Sequence, residues 1–405
     1  MRLFVGLFRA GVIAYLLSQS LLVGFVPAAA ILIGASQLPT ALGSDSHGQN
    51  SLYSGVWSLC HPGSWRTDAL VATALVGGLL VLSRRLHPLF PGVLLIVAAA
   101  TIYGEVGNYD APKLGTVHVG LPPLTTHLPL RDLPQLITPA LVIALLGFAE
   151  ATSIARRYAA LDRTRWDADR EFVSQGAANI AAGMFGGFPV GASFFRSALN
   201  RLAGARSSAS SLVTGLTVLA FLPLGFLLAP LPRAVLAATV IIAIAPLMRF
   251  SEMTEIVRLS RPQATITLTA FVLTLAFVPH IEKAILIAIG VSVAIHLWRE
   301  LRLDIEVGRW SERLEASPQG VLWFGNARVL EDRVVDLLAQ HPDATELAIR
   351  LDGLGRIDLT GAFALRTLLA DARQAGLSVS VLGAPQHATR VLDRVLGNMP
   401  PQRPT

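Results

Sequence analysis

The chain has 405 residues, of which 53% are hydrophobic and 15% charged, with a mean hydropathy of +0.56. A soluble domain carries about 25% charged residues, so this composition excludes an ordinary soluble domain and points to an integral membrane protein. The net charge of +6 lies in short loops between apolar runs, which is the positive-inside pattern, and no motif for nucleic-acid binding accompanies it.

In chain order, Met1-Arg-Leu-Phe opens directly into apolar sequence without a small-residue cleavage site, so it does not read as a signal peptide. Residues 3–18 form an apolar helical fragment and 20–42 the first full span. Ser44 to Asp68 is a polar loop, followed by spans at 69–83 and 88–104. Gly104 to Gln135 is a Pro/Gly-rich loop. A span at 136–155 contains Glu150 and leads into a charged connection, Arg156 to Arg170. A short pair follows at 172–186 and 192–204, then spans at 209–229, 233–248, 264–279 and 282–298. The tally is about ten membrane segments, some too short to cross a core of roughly 30 Å alone. Basic residues alternate between loops in a way that places both termini on the cytoplasmic side.

Beyond Arg302 charge rises and the apolar runs shorten. Strands are predicted at 320–324, 346–351 and 377–382, and helices at 328–338, 360–375 and 384–396, which is the pattern of a small α/β domain. The expected division is a transmembrane region over 1–300, the α/β domain over 301–398, and a Pro-rich disordered tail over 399–405. The single cysteine, Cys60, excludes an intrachain disulfide. The spacing of His47, His61, His118 and His127 does not match a zinc set, and no cofactor motif is present.

The stretch Asn179 to Asn200 interrupts the run of membrane segments. It is rich in small residues, and Gly186, Gly187 and Pro189 break it where a membrane helix would continue. Such breaks in transporters expose a half-helix N-terminus whose N–H groups and dipole attract an anion. Arg196 follows closely. Either it serves an anion site, or it snorkels to the interface or pairs with a carboxylate. Glu150 reads either as a site for a coupling proton or Na⁺, or as a structural partner of Arg196 or a loop arginine. Gln175 and Asn179 share a helix face and suit hydrogen bonding across helices. The glycines suit close helix packing, since no Walker pattern follows them.

Several stretches together resemble the sulfate permease family of anion transporters with a C-terminal STAS domain. They are Gly24-Phe25 with Ala28-Ala-Ala-Ile-Leu-Ile33 and Ser36-Gln37-Leu38, Gly120-Leu-Pro, Gly147-Phe-Ala-Glu-Ala-Thr-Ser-Ile-Ala155, Gln175-Gly-Ala-Ala-Asn179, and Gly186-Gly-Phe-Pro-Val190 with Ser193, Arg196-Ser-Ala198 and Asn200. In the soluble part they are Phe324-Gly-Asn-Ala327, Leu330-Glu-Asp-Arg333 and Ile357-Asp-Leu-Thr-Gly-Ala362. The resemblance implies a fold of two inverted seven-segment repeats divided into core and gate domains. The segments here resemble the fifth to fourteenth of that fold, so the first four are expected to be missing and the repeat partial. It also implies an anion site at Ala192, Ser193, Phe195 and Arg196, and a coupling-cation role for Glu150. Phe195 stands where bacterial members carry a hydroxyl residue, and Gly191-Ala192 where Thr-Gly is usual, which makes the site more apolar. In the STAS-like part, Leu359 replaces the serine of phospho-regulated relatives. Asp358 and Thr360, ahead of Gly361, then read as caps of the next helix, with Thr360 left as the alternative phosphoacceptor.

The resulting expectation is a multi-pass protein of the cytoplasmic membrane, not an enzyme, that moves a small inorganic anion, sulfate first, with bicarbonate or a dicarboxylate as alternatives. Symport with Na⁺ or H⁺, a homodimer and a cytoplasmic protein partner for the STAS domain are further implications of the resemblance. The alternative of another class is a transport-inactive truncation that anchors the STAS domain as an interaction module.

Overall fold

Small residues set where the membrane helices cross, because without water the only gain from helix association is close packing and hydrogen bonding. The computed structural model describes residues 1–9, 18–48, 50–86, 90–107, 109–116, 120, 123–125, 130–310 and 312–397, without the side chains of 84, 86, 130, 194, 195, 386 and 387. The expected tail at 399–405, His118, His127 and residues 10–17 of the first fragment lie outside that description. The chain divides into two compact units, Met1–Ser292 and Val293–Thr405.

The first unit is helical: α1 (Arg2–Leu7), α2 (Gln19–Leu42), α3 (Ser51–Cys60), α4 (Thr67–Leu86), α5 (Gly92–Val106), α6 (Leu133–Asp162), α7 (Ala168–Met184), α8 (Phe194–Leu202), α9 (Ala209–Phe221), α10 (Arg233–Ile244), α11 (Phe250–Leu259), α12 (Arg261–Ala276) and α13 (Ile281–Leu301), the last continuing into the second unit. Among the described residues, five stretches are long and apolar enough to cross a bilayer: Gln19–Leu42, Leu133–Asp162, Ala209–Leu228, Arg233–Leu259 and Ile281–Leu301. Two shorter apolar helices, Thr67–Ser83 and Gly92–Val106, accompany them.

The expected segments fall on helices, with three corrections. The polar loop after α2 contains α3, which Asn50 starts by accepting the Leu52 N–H at 2.9 Å. Gly55 lets α3 lie directly on Ala35 of α2, where a Cβ would come within 2.6 Å of the Ala35 carbonyl oxygen. His47 and His61 stack on either face of Trp57, at 3.6 and 4.1 Å between ring centroids. Second, α6 runs through Arg156-Arg157, expected as loop, and stops at Arg163, whose φ of 54° is the left-handed C-cap geometry. Third, the basic loop after α10 holds α11, an amphipathic helix with Glu252 in its first turn and Arg258 in its last, matching the helix dipole.

The tightest crossing is α2 on α12. A Cβ on Gly24 would run into the Thr267 carbonyl oxygen. Beside it, the Thr267 hydroxyl donates to the Ser20 carbonyl at 3.0 Å, and the Ser20 hydroxyl to Gln263 Oε1 at 2.7 Å. The buried alanines of α10, Ala234, Ala237 and Ala238, allow the same closeness against its neighbours. At the other end of the unit, α1 lies on α7 through Gly6 and Gly176. A Cβ on Gly6 would come within 2.7 Å of the Asp169 carbonyl oxygen, and one on Gly176 within 2.5 Å of the Leu3 nitrogen.

The second unit is an α/β fold with β1 (Asp304–Trp310), β2 (Arg313–Leu322), β3 (Glu346–Arg350), β4 (Leu354–Ile357) and β5 (Ser378–Leu382), and with α14 (Ala327–Gln340), α15 (Leu359–Gln374) and α16 (Gln386–Leu396). The sheet order is β1-β2-β3-β5. β1 and β2 form an antiparallel hairpin, and the remaining pairings are parallel. β4 pairs with Gly320–Leu322 at the end of β2 after a register shift. Leu314, Ala316, Leu347 and Ile349 are fully buried with Leu330, Val334, Leu365 and Leu369 of the helices. The hairpin partner β1 and the short β4 are additions to the strands that the sequence predicts. Asp304-Ile-Glu-Val-Gly-Arg-Trp310 has no apolar run, because it is exposed along most of its length.

Candidate functional site

The break between α7 and α8 is built from local chain chemistry. Gly186 adopts φ +65°, a conformation that a side chain disfavours. The Gly187 N–H then reaches back to the Ala182 carbonyl at 2.8 Å, and the Gly186 N–H to Gly183 at 3.0 Å. These two bonds form a Schellman motif, which satisfies the last carbonyls of α7. Pro189 cannot extend a helix from there, and the chain stays non-helical to Ser193. Ser193 is the N-cap of α8, and its hydroxyl accepts the Arg196 N–H at 3.4 Å. With the Arg196 N–H taken by that hydroxyl, the N–H groups of Ser193, Phe194 and Phe195 have no intrahelical acceptor at the start of α8.

The turn is pinned from α7. Asn179 accepts the Val190 N–H at 3.0 Å and donates to the Val190 carbonyl at 2.9 Å, with a third bond to the Gln175 carbonyl at 2.8 Å. Gln175, one turn earlier, donates to Glu171 Oε1 at 2.8 Å. Its amide oxygen accepts from Arg2 Nη1 at 3.1 Å. The same Nη1 donates to the Val190 carbonyl at 2.9 Å. On α6, Gly147 lies opposite: a Cβ on Gly191 would sit 3.9 Å from its Cα, and a Cβ on Gly147 would run into Arg2 Nη2. The turn, α6, α7 and α1 thus meet at one point.

Glu150 lies on α6 one turn beyond Gly147 and is half-buried. Arg196 is exposed at the start of α8. Neither forms an ion pair with a described residue, so the structural pairing of the two expected as one reading is not formed. The side chain of Phe195 lies outside the described residues. The far end of α8 is anchored to α6. Arg201 donates both Nη atoms to Asp162, at 2.8 and 2.5 Å, and its guanidinium lies 5.0 Å above the Tyr158 ring. Ser210 donates to Asn200 Oδ1 at the next connection.

In the second unit, Asp358 starts α15: Oδ1 accepts the Gly361 N–H at 2.7 Å and Oδ2 the Phe324 N–H at 3.3 Å. Gly361 has no room for a side chain, since a Cβ would come within 2.7 Å of the Leu322 carbonyl oxygen. Leu359 and Thr360 are exposed, and the N-cap bond is made by Asp358. Buried Asn326 donates to the carbonyls of Glu300 and Val321, at 3.0 and 2.7 Å, and accepts the Trp323 N–H at 3.0 Å. It thereby ties the end of α13 to the loop after β2.

Sequence reasoning missed Arg2 and the Arg201–Asp162 pair. Both are long-range arrangements, although an arginine next to an apolar run is a signal that could have prompted attention to Arg2.

The profile of the sulfate permease family matches residues 1–271. A protein of Mycobacterium tuberculosis (strain CDC 1551 / Oshkosh) named "Probable sulfate transporter MT1781" is 30% identical over 429 residues, spanning 97% of this chain and 75% of that protein. Human solute carrier family 26 member 6 is 29% identical over 308 residues, spanning 71% of this chain and 40% of its own. Among solved structures, the murine Solute Carrier 26 family member A9 anion transporter in its inward-facing state superposes with a TM-score of 0.86 at 18% identity, covering 97% of this chain and 69% of that one. The transmembrane domain of the cyanobacterium bicarbonate transporter BicA gives a TM-score of 0.59 at 21% identity, covering 72% and 73%. At these identities the structures establish the fold.

Proposed function

The chain belongs to the sulfate permease family, and we propose on that footing that it carries out secondary transport of an inorganic anion, sulfate foremost, across a membrane it crosses several times. The observation that carries the reading is the pinned break between α7 and α8. A glycine turn held by Asn179 presents the first turn of α8 with Ser193 as its cap. Helix N–H groups and the positive dipole end favour an anion there without a covalent step. Arg196, on the same first turn, supplies a full charge, and Ala192, Ser193 and Phe195 form the rest of the substrate site. Movement of the core helices relative to the gate helices would then expose the anion to alternate sides.

Glu150 is the proposed coupling site. An unpaired carboxylate at membrane depth is costly and is stabilised by taking up H⁺ or Na⁺. The resident membrane is proposed to be the cytoplasmic one, with both termini inside, and the assembly to be a homodimer whose STAS-like unit can take a protein partner. Bicarbonate and dicarboxylates remain alternative substrates. The name of the mycobacterial relative favours sulfate, and the fold is shared with a solved bicarbonate transporter domain.

The test is sulfate, bicarbonate and dicarboxylate uptake into proteoliposomes containing the intact protein and its Arg196→Ala variant. The expected result is saturable sulfate uptake whose apparent affinity falls at least tenfold in the variant. Unchanged affinity and rate in Arg196→Ala would remove Arg196 from the site.

A further inference from the structure

Arg2 is 5% exposed, and its guanidinium is surrounded by neutral acceptors. Nε donates to the Ala144 carbonyl at 3.2 Å, Nη2 to Ile143 at 2.8 Å, and Nη1 to both Val190 at 2.9 Å and Gln175 Oε1 at 3.1 Å. Four of its five N–H groups are thus directed at oxygen atoms without net charge. No carboxylate pairs with it among the described residues. Glu150 on α6 makes no ion pair with it, and Glu171 is reached only through the Gln175 amide, which donates to Glu171 at 2.8 Å.

Burial of a cation is costly unless an opposite charge lies close, and a membrane protein has little water to substitute for one. The hydrogen bonds orient Arg2 and lower part of that cost, but they leave its charge uncompensated. The guanidinium is also bonded to the turn that carries the proposed site. Val190, its acceptor, is three residues before Ser193, a span of at most about 11 Å of chain. Gly147, lacking a side chain, leaves the space beside α6 that the guanidinium fills.

We infer that Arg2 is a second fixed cation of the anion path, with the transported anion as its counter-ion. This inference rests on the transport reading above. It assigns a positioning and specificity role: the field of Arg2 adds to that of Arg196 and the α8 dipole, and two cations favour a dianion over a monoanion, because Coulomb attraction scales with the charge of the ligand. Its hydrogen bond to the Val190 carbonyl at the same time holds the turn that aims the α8 N-terminus.

The experiment is sulfate uptake as a function of concentration in proteoliposomes of the intact protein and its Arg2→Gln, Arg2→Lys and Gln175→Glu variants, with detergent melting temperatures measured alongside. Arg2→Gln keeps some hydrogen bonding but removes the charge, and is expected to raise the KM for sulfate at least tenfold with the maximal rate within about twofold. Arg2→Lys keeps the charge, and its KM is expected to stay within about threefold of the parent. Gln175→Glu leaves Arg2 in place but gives it a carboxylate partner at the position of the present 3.1 Å contact, and is expected to raise KM about fivefold or more. An unchanged KM in Arg2→Gln or, should that variant not fold, in Gln175→Glu overturns the inference. So does equal impairment of Arg2→Lys and Arg2→Gln, which would mark a purely structural role. Absence of uptake by the parent protein is a different result and overturns the transport reading itself, and this inference with it.

Discussion

Replacing Asn179 by alanine removes the bonds that hold the turn between α7 and α8. Three are lost: to the Gln175 carbonyl at 2.8 Å, to the Val190 carbonyl at 2.9 Å, and from the Val190 N–H at 3.0 Å. The first costs little, since that carbonyl lies within α7 and keeps its helical environment. The second is partly covered because Arg2 continues to donate to Val190. The third leaves a backbone N–H without a partner. With each bond contributing about 1 kcal/mol net, the seated turn loses at most about 2 kcal/mol. At 1.4 kcal/mol per factor of ten this is roughly 30-fold in the ratio of seated to displaced turn. Apparent anion affinity falls by the fraction of protein left competent, so about 30-fold is the ceiling and a smaller loss is expected where the turn starts well seated. Asn179→Asp is the informative partner. It keeps an acceptor for the Val190 N–H but loses the donor to the Val190 carbonyl and places a negative charge beside an anion path, so it should be worse than alanine. Concentration-dependent sulfate uptake in proteoliposomes measures both. If Asn179→Ala retains the parent's KM and melting temperature, the turn does not depend on this clamp and the account of the site is wrong.

Other expected outcomes follow from the same contacts. Gly24→Ala drives a methyl into the Thr267 carbonyl at the α2–α12 crossing and should cost about 1–3 kcal/mol by overpacking; an unchanged melting temperature in detergent would argue against that crossing. Asp358→Ala removes the cap bond to the Gly361 N–H at 2.7 Å, worth about 1 kcal/mol, so amide exchange in the first turn of α15 should accelerate, and equal exchange rates would contradict the cap. Glu150→Gln should make uptake indifferent to an imposed proton or Na⁺ gradient, while sulfate still binds; a variant that continues to concentrate sulfate on such a gradient excludes Glu150 as the coupling site.

Much of the candidate site can be read locally. A Gly-Gly-Phe-Pro run ends a helix because of backbone geometry within a few residues, and the Schellman bonds from Gly186 and Gly187 span only three to five positions. Ser193 and Asp358 are caps for the same kind of reason, an oxygen within reach of an N–H on the next turn. The apolar runs place the helices because a buried backbone in a bilayer must bond within its own segment.

What only the tertiary structure decides involves partners far apart along the chain. Arg2 reads in sequence as the polar lead of an apolar fragment. Its acceptors lie 142 and 188 residues away at Ala144 and Val190, a distance that no periodicity reports. Gly147 looks like a packing residue of α6 until Arg2 is seen in the space a Cβ would fill. The alternative reading in which Glu150 pairs with Arg196 fails for the same reason, since opposite charges in sequence say nothing about which helix faces meet. β1 is likewise specified by hydrogen bonding to β2 rather than by its own side chains, because an exposed strand needs a neighbour's backbone and no apolar run of its own. Composition and local backbone chemistry determined that this chain is a membrane protein with a broken helix at its centre. Packing of distant segments determined which charges stand beside that break.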